Sequence, residues 1–378
     1  MEKIIVVGAG FSGATIARLF ADDGRDVIVV DRRENIGGNA YDYLDKNNIL
    51  VQPYGPHIFH THDKEVFDFL SRFTEWTKYE HRVKAKIRKD KLVPVPFNLT
   101  SLFSLFPKDK AERIKSVLVE EIGLDKKVPI LQLKKHDNAE IREFADYVYK
   151  NIFYIYTMKQ WGFKPEQLGE AVMNRVPVYV SYEDRYFTDE FQYMPTKGFA
   201  DMISNMLRHP RIQLKLKTDA KKAIRLEDGQ IYLNDKPLEG MVIYTGCIDE
   251  LFDYKYGVLP YRSLKFKFKT LKTPSFQENA VVNYTTSHKY TRISEFSKFT
   301  CPEQENTVIV KEYPTAFKKG KNIPYYPIPV EKNYAHYALY ANEAKKYKDL
   351  YLLGRLANYK YIDMDDAVRF AMDLYKNL

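Results

Sequence analysis

The stretch Ile4-Ile5-Val6-Val7-Gly8-Ala9-Gly10-Phe11-Ser12-Gly13 decides the fold of this chain. Four consecutive β-branched residues are typical of a buried parallel strand, and the G-x-G-x-x-G pattern that follows suits a dinucleotide-binding turn. Gly8 allows the sharp turn after the strand, Gly10 lets the backbone approach a pyrophosphate, and Gly13 lets the next helix pack closely on the sheet. Such triplets also occur by chance in loops, so the prediction depends on the residues around them.

The residues after this turn complete the unit. Ala14 to Ala21 has the pattern of a crossover helix, and Val27 to Val30 that of a second parallel strand. Asp31 ends this strand, 18 residues after Gly13 (31 − 13), where a carboxylate can accept hydrogen bonds from a ribose. The sequence therefore predicts a Rossmann-like βαβ unit whose helix N-terminus faces phosphates.

A second glycine pair indicates which dinucleotide is bound. Asp31 is followed by Arg32, Arg33 and then Gly37-Gly38-Asn39. This extension is similar to that of FAD-binding proteins of the glutathione-reductase-like class, in which the chain passes back over the cofactor. The alternative is an ordinary Gly-Gly turn. We expect FAD rather than a nicotinamide dinucleotide as the resident cofactor.

Length and composition limit the number of domains and the compartments in which the protein is expected. With 378 residues, 45% of them apolar, the chain can form two or three domains. Cys247 and Cys301 have no metal-site spacing and are too few for a disulfide framework, which favours a reducing compartment. No apolar stretch approaches the roughly 20 residues of a membrane span, and the N-terminus lacks a signal-peptide layout. A soluble, cytoplasmic protein is expected.

The net charge of +9 favours an anionic partner. Thirty tyrosines could stack on bases, but no familiar nucleic-acid module is visible. We therefore expect no nucleic-acid partner.

The rest of the chain interrupts the cofactor domain. Residues 93–97 form a proline-punctuated connection, 124–133 a loop, and Asn138 to Trp161 the strongest helical pattern, apolar on two faces. Such a helix either packs in a core or lines a pocket. The predicted fold class is α/β, an FAD-binding Rossmann-like domain with an inserted helical-bundle domain and an antiparallel β-sheet domain. The predicted boundaries are 1–75, 192–255 and 330–378 for the FAD domain, 98–165 for the helical domain, and 76–97, 166–191 and 256–329 for the sheet domain.

Six motifs follow one another along the chain: Gly37-Gly38-Asn39, Gly55-Pro56-His57-Ile58-Phe59-His60-Thr61, Tyr156-Thr157-x-Lys159-Gln160-Trp161, Tyr290-Thr291-Arg292-Ile293, Pro324-Tyr325-Tyr326-Pro327-Ile328 and the segment from Gly354 to Met364. In this order they resemble the UDP-galactopyranose mutases, flavoenzymes that interconvert the pyranose and furanose rings of a nucleotide sugar. The resemblance covers the whole length of the chain.

The resemblance implies an isomerase, an intramolecular transferase that uses reduced FAD (FADH⁻) without net redox change. In the family, the reduced flavin N5 attacks the anomeric carbon, displaces the nucleoside diphosphate, and an iminium intermediate allows the ring to reclose through another hydroxyl. NAD(P)H or another reductant is needed only to reduce the flavin. UDP-galactopyranose is the default substrate and UDP-galactofuranose the product, which supplies galactofuranose for cell-surface polysaccharide. A homodimer formed through the helical domain is also implied.

The resemblance further implies roles for individual residues. Expected catalytic residues are Arg175, Arg292, His60 and Asp363, the arginines because their planar forks pair with phosphate oxygens. Expected substrate-binding residues are Tyr156, Thr157, Trp161, Arg175, Tyr186, Asn283, Arg292, Tyr326 and Tyr361. Expected cofactor-binding residues are Gly8, Gly10, Phe11, Ser12, Gly13, Asp31, Arg32, Gly38, Asn39, His57, Ile58, Arg355, Tyr361, Asp363 and Met364. No metal site is expected.

Departures from the family pattern lie on the substrate side. His81 stands where the family carries an asparagine near the nucleotide, Ile152 replaces an aromatic residue next to the base, and the segment from Asn283 to Arg292 is one residue short. A UDP-N-acetyl sugar, a dTDP-deoxysugar or a GDP-sugar is therefore an alternative substrate.

Two other classes of function stay open. An FAD oxidoreductase, such as an amine oxidase or sugar dehydrogenase, would share the glycine-rich start of the chain and would oxidise its substrate with oxygen or a dye. A non-catalytic nucleotide-binding module would bind nucleotide regardless of the flavin oxidation state.

Overall fold

The computed structural model describes residues 3–88, 91–168, 177–300 and 305–378. The strands are β1 (Lys3–Val7), β2 (Val27–Val30), β3 (Tyr43–Leu44), β4 (Leu50–Val51), β5 (Phe59–Thr61), β6 (Trp76–Lys78), β7 (Val83–Arg88), β8 (Lys91–Val95), β9 (Lys127–Val128), β10 (Val178–Tyr179), β11 (Phe191–Pro195), β12 (Ile212–Lys215), β13 (Ile224–Glu227), β14 (Gln230–Leu233), β15 (Lys236–Pro237), β16 (Gly240–Tyr244), β17 (Tyr261–Leu271), β18 (Val281–Tyr284), β19 (Arg292–Glu295), β20 (Thr307–Ala316), β21 (Tyr326–Pro327) and β22 (Leu350–Leu352). The α-helices are α1 (Phe11–Asp22), α2 (Lys64–Ser71), α3 (Leu99–Leu105), α4 (Lys108–Glu121), α5 (Ile130–Leu133), α6 (Ala139–Val148), α7 (Ile155–Trp161), α8 (Phe199–Leu207), α9 (Ile248–Leu251), α10 (Ser297–Thr300), α11 (Glu331–Ala344) and α12 (Met364–Lys376).

The chain divides into two compact units. Unit 1 comprises residues 1–78, 189–263 and 316–378, and unit 2 comprises residues 79–188 and 264–315. The three-domain division predicted from the sequence stays a prediction.

Unit 1 is built on a five-stranded parallel sheet in the order β12-β2-β1-β16-β22. Its central strand β1 is buried because apolar residues flank it on both sides, with Ile5 beside Ile28 of β2 and Val242 of β16. Helix α1 packs on α12, where the rings of Phe20 and Tyr375 lie 5.3 Å apart. The predicted α/β Rossmann-like fold is therefore confirmed, with α1 beginning at Phe11.

A second, three-stranded antiparallel sheet of unit 1 has the order β5-β11-β6. It carries His60 on β5, directly opposite Gln192 of β11. Stacked rings cover one face, with Phe67 4.3 Å from Phe191 and 5.6 Å from Trp76. This packing gives the histidine-bearing segment a rigid support.

Unit 2 combines helices α3 to α7 with the strand order β17-β20-β19-β18-β7-β8. The β7–β18 pair is parallel, whereas the β18–β19, β19–β20 and β7–β8 pairs are antiparallel. Residues 93–97, interpreted as a connection, belong partly to β8. Pro94 is tolerated there because β8 lies at the sheet edge, where a strand can lack one amide donor.

The region 124–133 is likewise more ordered than expected, since it contains β9 and the short helix α5. Asn138 to Trp161 is helical, as predicted, but one π-helical turn at Tyr149–Tyr154 separates α6 from α7. The wider turn changes the phase of the helix, so Phe144, Val148 and Ile152 are buried while Ile155 is 38% exposed.

Within the described ranges, no helix combines the length and apolar character needed to cross a membrane.

Candidate functional site

A cavity in unit 1 begins at the glycine turn after β1. Most of the residues expected to bind the cofactor line it: Gly8, Gly10, Phe11, Ser12, Gly13, Asp31, Arg32, Gly38, Asn39, His57, Arg355, Asp363 and Met364. Two others, Ile58 and Tyr361, are not part of the lining. The sequence analysis missed further lining residues, among them Arg33, Thr245, Tyr325 and Gly354.

Some glycines of this cavity allow close packing of the backbone, and others leave the backbone accessible from the cavity. A Cβ on Gly13 would lie 1.9 Å from the Gly8 carbonyl oxygen, so only glycine lets α1 approach the turn so closely. A Cβ on Gly10 would find Gly38 Cα at 3.6 Å, an ordinary contact distance. The second glycine pair thus returns to the first turn, and the Gly37 amide donates to the Ala9 carbonyl at 2.8 Å.

Asp31 and Arg33 organise the end of β2. The Asp31 carboxylate accepts hydrogen bonds from the amides of Ala9 (2.9 Å) and Arg33 (2.8 Å). The Arg33 guanidinium lies 4.5 Å from the Tyr54 ring centre and donates from Nη2 to Asn39 Oδ1 at 2.9 Å. Its Nη1 is buried and has no hydrogen-bond partner among the described residues. A buried guanidinium nitrogen without a partner indicates a missing acceptor.

These features fit a flavin dinucleotide. Gly10 and Gly38 leave the backbone accessible to a pyrophosphate, α1 directs its N-terminus to the same place, and Arg33 offers a donor for an anionic or ribose oxygen. The N-terminus of α12, at Asp363 and Met364, also lines the cavity. No group of side chains that could hold a metal ion occurs within the described part of the chain.

Arg355 lies beside two of the predicted substrate tyrosines. Its guanidinium carbon is 5.1 Å from the ring centre of Tyr326 and 5.3 Å from that of Tyr361. The two rings stack at 5.2 Å, and the Arg355 Nε donates to the Ile362 carbonyl at 3.0 Å. The structure thus brings Tyr326 and Tyr361 together next to a cation of the cavity wall.

The two histidines of the predicted flavin loop have different surroundings. His57 lies in the cavity wall, and its ring Nδ1 carries the proton, because its neighbour at 2.8 Å is the Gly55 carbonyl oxygen. His60 lies outside the lining, with Nδ1 3.3 Å from Asp189 Oδ2. Burial raises the pKa of Asp189, but the hydrogen bond and charge of His60 outweigh it and the net pKa is lowered.

The other predicted substrate residues in the described chain belong to unit 2. Tyr156, Thr157 and Trp161 lie on α7. Asn283 at β18 and Arg292 at β19 are direct cross-strand partners. Arg175 lies outside the described residues.

Glu312 is a partner of Arg292 that the sequence analysis missed. Its carboxylate is 1% exposed and accepts from the Arg292 Nε at 2.9 Å. The two residues are paired in register between β19 and β20. The available signal was a carboxylate that directly follows the apolar run Val308-Ile309-Val310 and Lys311 in the same strand.

Tyr186 packs against the buried His81, with the ring centres 5.7 Å apart. The Tyr186 amide donates to the His81 carbonyl at 2.7 Å, and the His81 Nδ1 lies 3.2 Å from the Tyr79 hydroxyl. Burial raises the pKa of Tyr79, so this hydroxyl stays protonated. Ile152, the second substrate-side departure, is 5% exposed in the π-helical turn.

Comparisons with known proteins agree over nearly the whole chain. A profile of the family described as UDP-galactopyranose mutase matches residues 151–361, and one described as an NAD(P)-binding Rossmann-like domain matches residues 6–73. The chain is 34% identical to UDP-galactopyranose mutase of Mycoplasma genitalium (97% of this chain, 92% of the relative). It is 33% identical to dTDP-fucopyranose mutase of Escherichia coli (99% and 97%).

A solved structure of reduced UDP-galactopyranose mutase shares the fold, with a TM-score of 0.72 and 14% identity over 100% of this chain and 93% of that chain. The full-length sequence similarity and the profile over more than half of the residues lead to one assignment. The chain belongs to the UDP-galactopyranose mutase family.

Proposed function

We propose that this protein is a flavin-dependent isomerase that interconverts the pyranose and furanose forms of a nucleotide sugar, by default UDP-galactose. The observation that carries the proposal is the dinucleotide cavity of unit 1, whose wall includes Arg355 stacked against Tyr326 and Tyr361. An ordinary dehydrogenase needs no cation and paired tyrosines at that place. An enzyme that acts on a nucleotide sugar needs them, because the anionic diphosphate becomes the leaving group and must be stabilised.

FAD is the cofactor that the cavity would hold, and in its reduced form it supplies an electron-rich nitrogen for bond formation at the anomeric carbon without net redox change. The turn at Gly8, Gly10 and Gly13 and the N-terminus of α1 would hold its pyrophosphate. Arg33 and Asp31 would bind its ribose, and His57, held in place by its Nδ1–H donation to the Gly55 carbonyl, would form part of the wall around it. The positive charge of Arg355 would favour an anionic reduced state.

The other residues would bind the nucleotide sugar. Arg292, oriented by Glu312, would pair with phosphate oxygens, and we propose the same role for Arg175. The hydroxyls of Tyr186, Tyr326 and Tyr361 would donate to the diphosphate and so stabilise the leaving group. Tyr156, Thr157, Trp161 and Asn283 would hold the base and ribose, and His60 and Asp363 would maintain the reacting geometry.

Substrate identity within the mutases is the finer part of the proposal. A UDP-galactose and a dTDP-fucose mutase are similar to this chain to nearly the same degree, at 34% and 33% identity. A dTDP-deoxysugar is therefore the first alternative to UDP-galactose. We further propose a homodimer formed through residues 98–165 and a requirement for NAD(P)H or another reductant only to reduce the flavin.

The test is anaerobic incubation of the reduced holoenzyme with UDP-, dTDP- and GDP-sugars, resolving pyranose from furanose by chromatography. Conversion only with reduced enzyme is expected, and the best donor identifies the substrate. Oxidation of a sugar or amine with dye turnover, without ring interconversion, would instead indicate an oxidoreductase. Light scattering of the same sample measures the oligomeric state.

A further inference from the structure

Lys159 occupies an unusual position in unit 2. Its side chain extends from α7 into the loop between β18 and β19, where its ammonium lies within hydrogen-bond distance of four backbone carbonyl oxygens and shares its three N–H groups among them. The oxygens belong to Tyr284, Thr286 (3.2 Å), His288 (3.2 Å) and Tyr290 (3.0 Å). Alternate residues of the loop thus direct their carbonyl oxygens to one cation.

This arrangement makes the loop conformation depend on the ammonium. Carbonyl oxygens carry partial negative charge, and several converging oxygens repel one another unless a cation or donor lies between them. Burial lowers the pKa of Lys159 to about 8, so the side chain is still a cation at neutral pH. A neutral side chain of similar length would leave the four oxygens without their shared donor.

The loop connects two of the residues that are predicted to bind the nucleotide sugar, Asn283 and Arg292. It comprises residues 285–291, and its base is closed by the Tyr284 amide donating to the Thr291 carbonyl at 2.7 Å. The Asn283 Oδ1 is buried without a hydrogen-bond partner among the described residues, as expected of a group that awaits a ligand donor. On the other side, α7 carries Tyr156 and Thr157.

We propose that Lys159 is a positioning residue that ties the loop of residues 285–291 to α7 and thereby sets Arg292 and Asn283 in place relative to Tyr156 and Thr157. The proposal rests on the proposed function, because it assigns nucleotide binding to these four residues. Lys159 acts through the loop and need not contact the substrate.

The test compares Lys159→Met with Lys159→Arg and with the control Lys289→Met. Lys289 is an exposed lysine of the same loop, so its replacement makes the same change in charge. The affinity of the FAD-loaded protein for UDP and dTDP is measured by calorimetry, KM and kcat with the reduced enzyme, and amide hydrogen exchange of residues 285–291 by mass spectrometry.

We expect Lys159→Met to speed exchange in the loop and to raise the nucleotide Kd and the KM about 10- to 100-fold, as for a misplacement of about 1 Å, with a smaller change in kcat. Lys159→Arg should recover most of the affinity, and Lys289→Met should match the wild type. Nucleotide affinity and KM of Lys159→Met within twofold of those of Lys289→Met would overturn the proposal, even if loop exchange were faster.

The same experiment separates this proposal from the proposed function. If the wild type binds UDP or dTDP but converts no nucleotide sugar, the mutase assignment fails, while the Kd difference between Lys159→Met and Lys289→Met still supports the role of Lys159. If neither nucleotide binds the wild type, both fail. If the wild type converts the nucleotide sugar and Lys159→Met keeps the nucleotide Kd and KM of Lys289→Met, the positioning role alone is rejected.

Discussion

Arg292 and Glu312 form an ion pair across β19 and β20, with the arginine Nε 2.9 Å from a carboxylate oxygen that is almost fully buried. The glutamate side chain is 1% exposed and the arginine side chain 25% exposed. The second carboxylate oxygen, Oε1, has no hydrogen-bond partner among the described residues. The buried negative charge of Glu312 is therefore compensated by the Arg292 guanidinium, and the carboxylate in turn fixes the position of that guanidinium.

Removing Arg292 should accordingly affect both stability and activity. Arg292→Met leaves the Glu312 charge buried without its partner, which costs about 3 to 5 kcal/mol of unfolding free energy. Glu312→Gln keeps a hydrogen-bond acceptor but removes the charge, so we expect unfolding to change little while kcat/KM falls about tenfold, or about 1.4 kcal/mol. Thermal unfolding and steady-state kinetics of the reduced enzyme measure the two effects. An unchanged Tm for Arg292→Met would contradict this account.

Gly10 and Gly13 should respond differently to a single added methyl group. Gly13→Ala places Cβ 1.9 Å from a backbone carbonyl, so the βαβ turn must shift at a cost of about 3 kcal/mol or more. Gly10→Ala meets only an ordinary contact, so the apoprotein should lose less than about 1 kcal/mol. The Gly10 methyl group would nevertheless occupy the space for the pyrophosphate and weaken FAD binding at least about tenfold.

Unfolding of the two apoproteins and titration with FAD distinguish these effects. If Gly10→Ala retained full flavin affinity, the cofactor phosphates would not pass over this turn. If Gly13→Ala unfolded like the wild type, α1 could move away from the Gly8 carbonyl without a loss of unfolding free energy.

Sequence predicts best those residues of the site that lie at fixed separations along a short stretch of the chain. The strand, the glycine turn and Asp31 lie within about one βαβ unit, and each residue's role follows from its distance along the chain to the next. The part of the cavity lining that lies within this βαβ unit could be predicted for the same reason, whereas the family resemblance implied His57, Arg355, Asp363 and Met364. Thr245, Tyr325 and Gly354 were missed because only the fold brings them to the cavity. Arg33 was missed because the direction of its side chain depends on Tyr54 and Asn39.

Strand register, in contrast, is not contained in local periodicity. Glu312 reaches Arg292 only because β19 and β20 pair at that register, and a shift of one residue would turn the glutamate to the other face. The π-helical turn before α7 is a similar case, since the pattern of 138–161 is equally compatible with one continuous helix. The role of Lys159 could not be predicted either, because it depends on the position of both the π-helical turn and the loop of residues 285–291.

Arg33 should contribute to cofactor affinity more than its surface counterparts do. Its buried Nη1 lacks an acceptor among the described residues, and a hydrogen bond to a charged group contributes about 1.5 to 3 kcal/mol. Arg33→Met should therefore weaken FAD binding by a corresponding amount. Arg225→Met, which removes an arginine paired with Glu227 on β13, provides the control with the same charge change. Flavin content after purification and FAD titration of the apoprotein measure the difference, and equal affinities in the two variants would refute the assignment.

The surroundings of Glu343 on α11 lead to a prediction of how the stability of unit 1 changes at acidic pH. Its side chain is 8% exposed and accepts from the Tyr256 hydroxyl at 2.6 Å and from the ammonium groups of Lys255 at 3.0 Å and Lys346 at 3.1 Å. The tyrosine hydrogen bond, followed by that of Lys255, lowers the pKa of Glu343 to about 2. Because the pKa is lower in the folded than in the unfolded chain, the carboxylate stabilises the fold above pH about 4.5, and this contribution is lost as the pH falls toward about 2.

Glu343→Gln should therefore reduce the free energy of unfolding at pH 7 by about 1 to 2 kcal/mol, the range for a hydrogen bond to a charged group with partly exposed partners. The difference from the wild type should shrink between pH 4.5 and 2, because protonation makes the wild-type side chain neutral as well. Glu120→Gln on α4 makes the same charge change at an exposed position and should follow the wild type throughout. A Glu343→Gln difference that stayed constant down to pH 2 would mean that packing of α11, rather than the charge on Glu343, accounts for the stability.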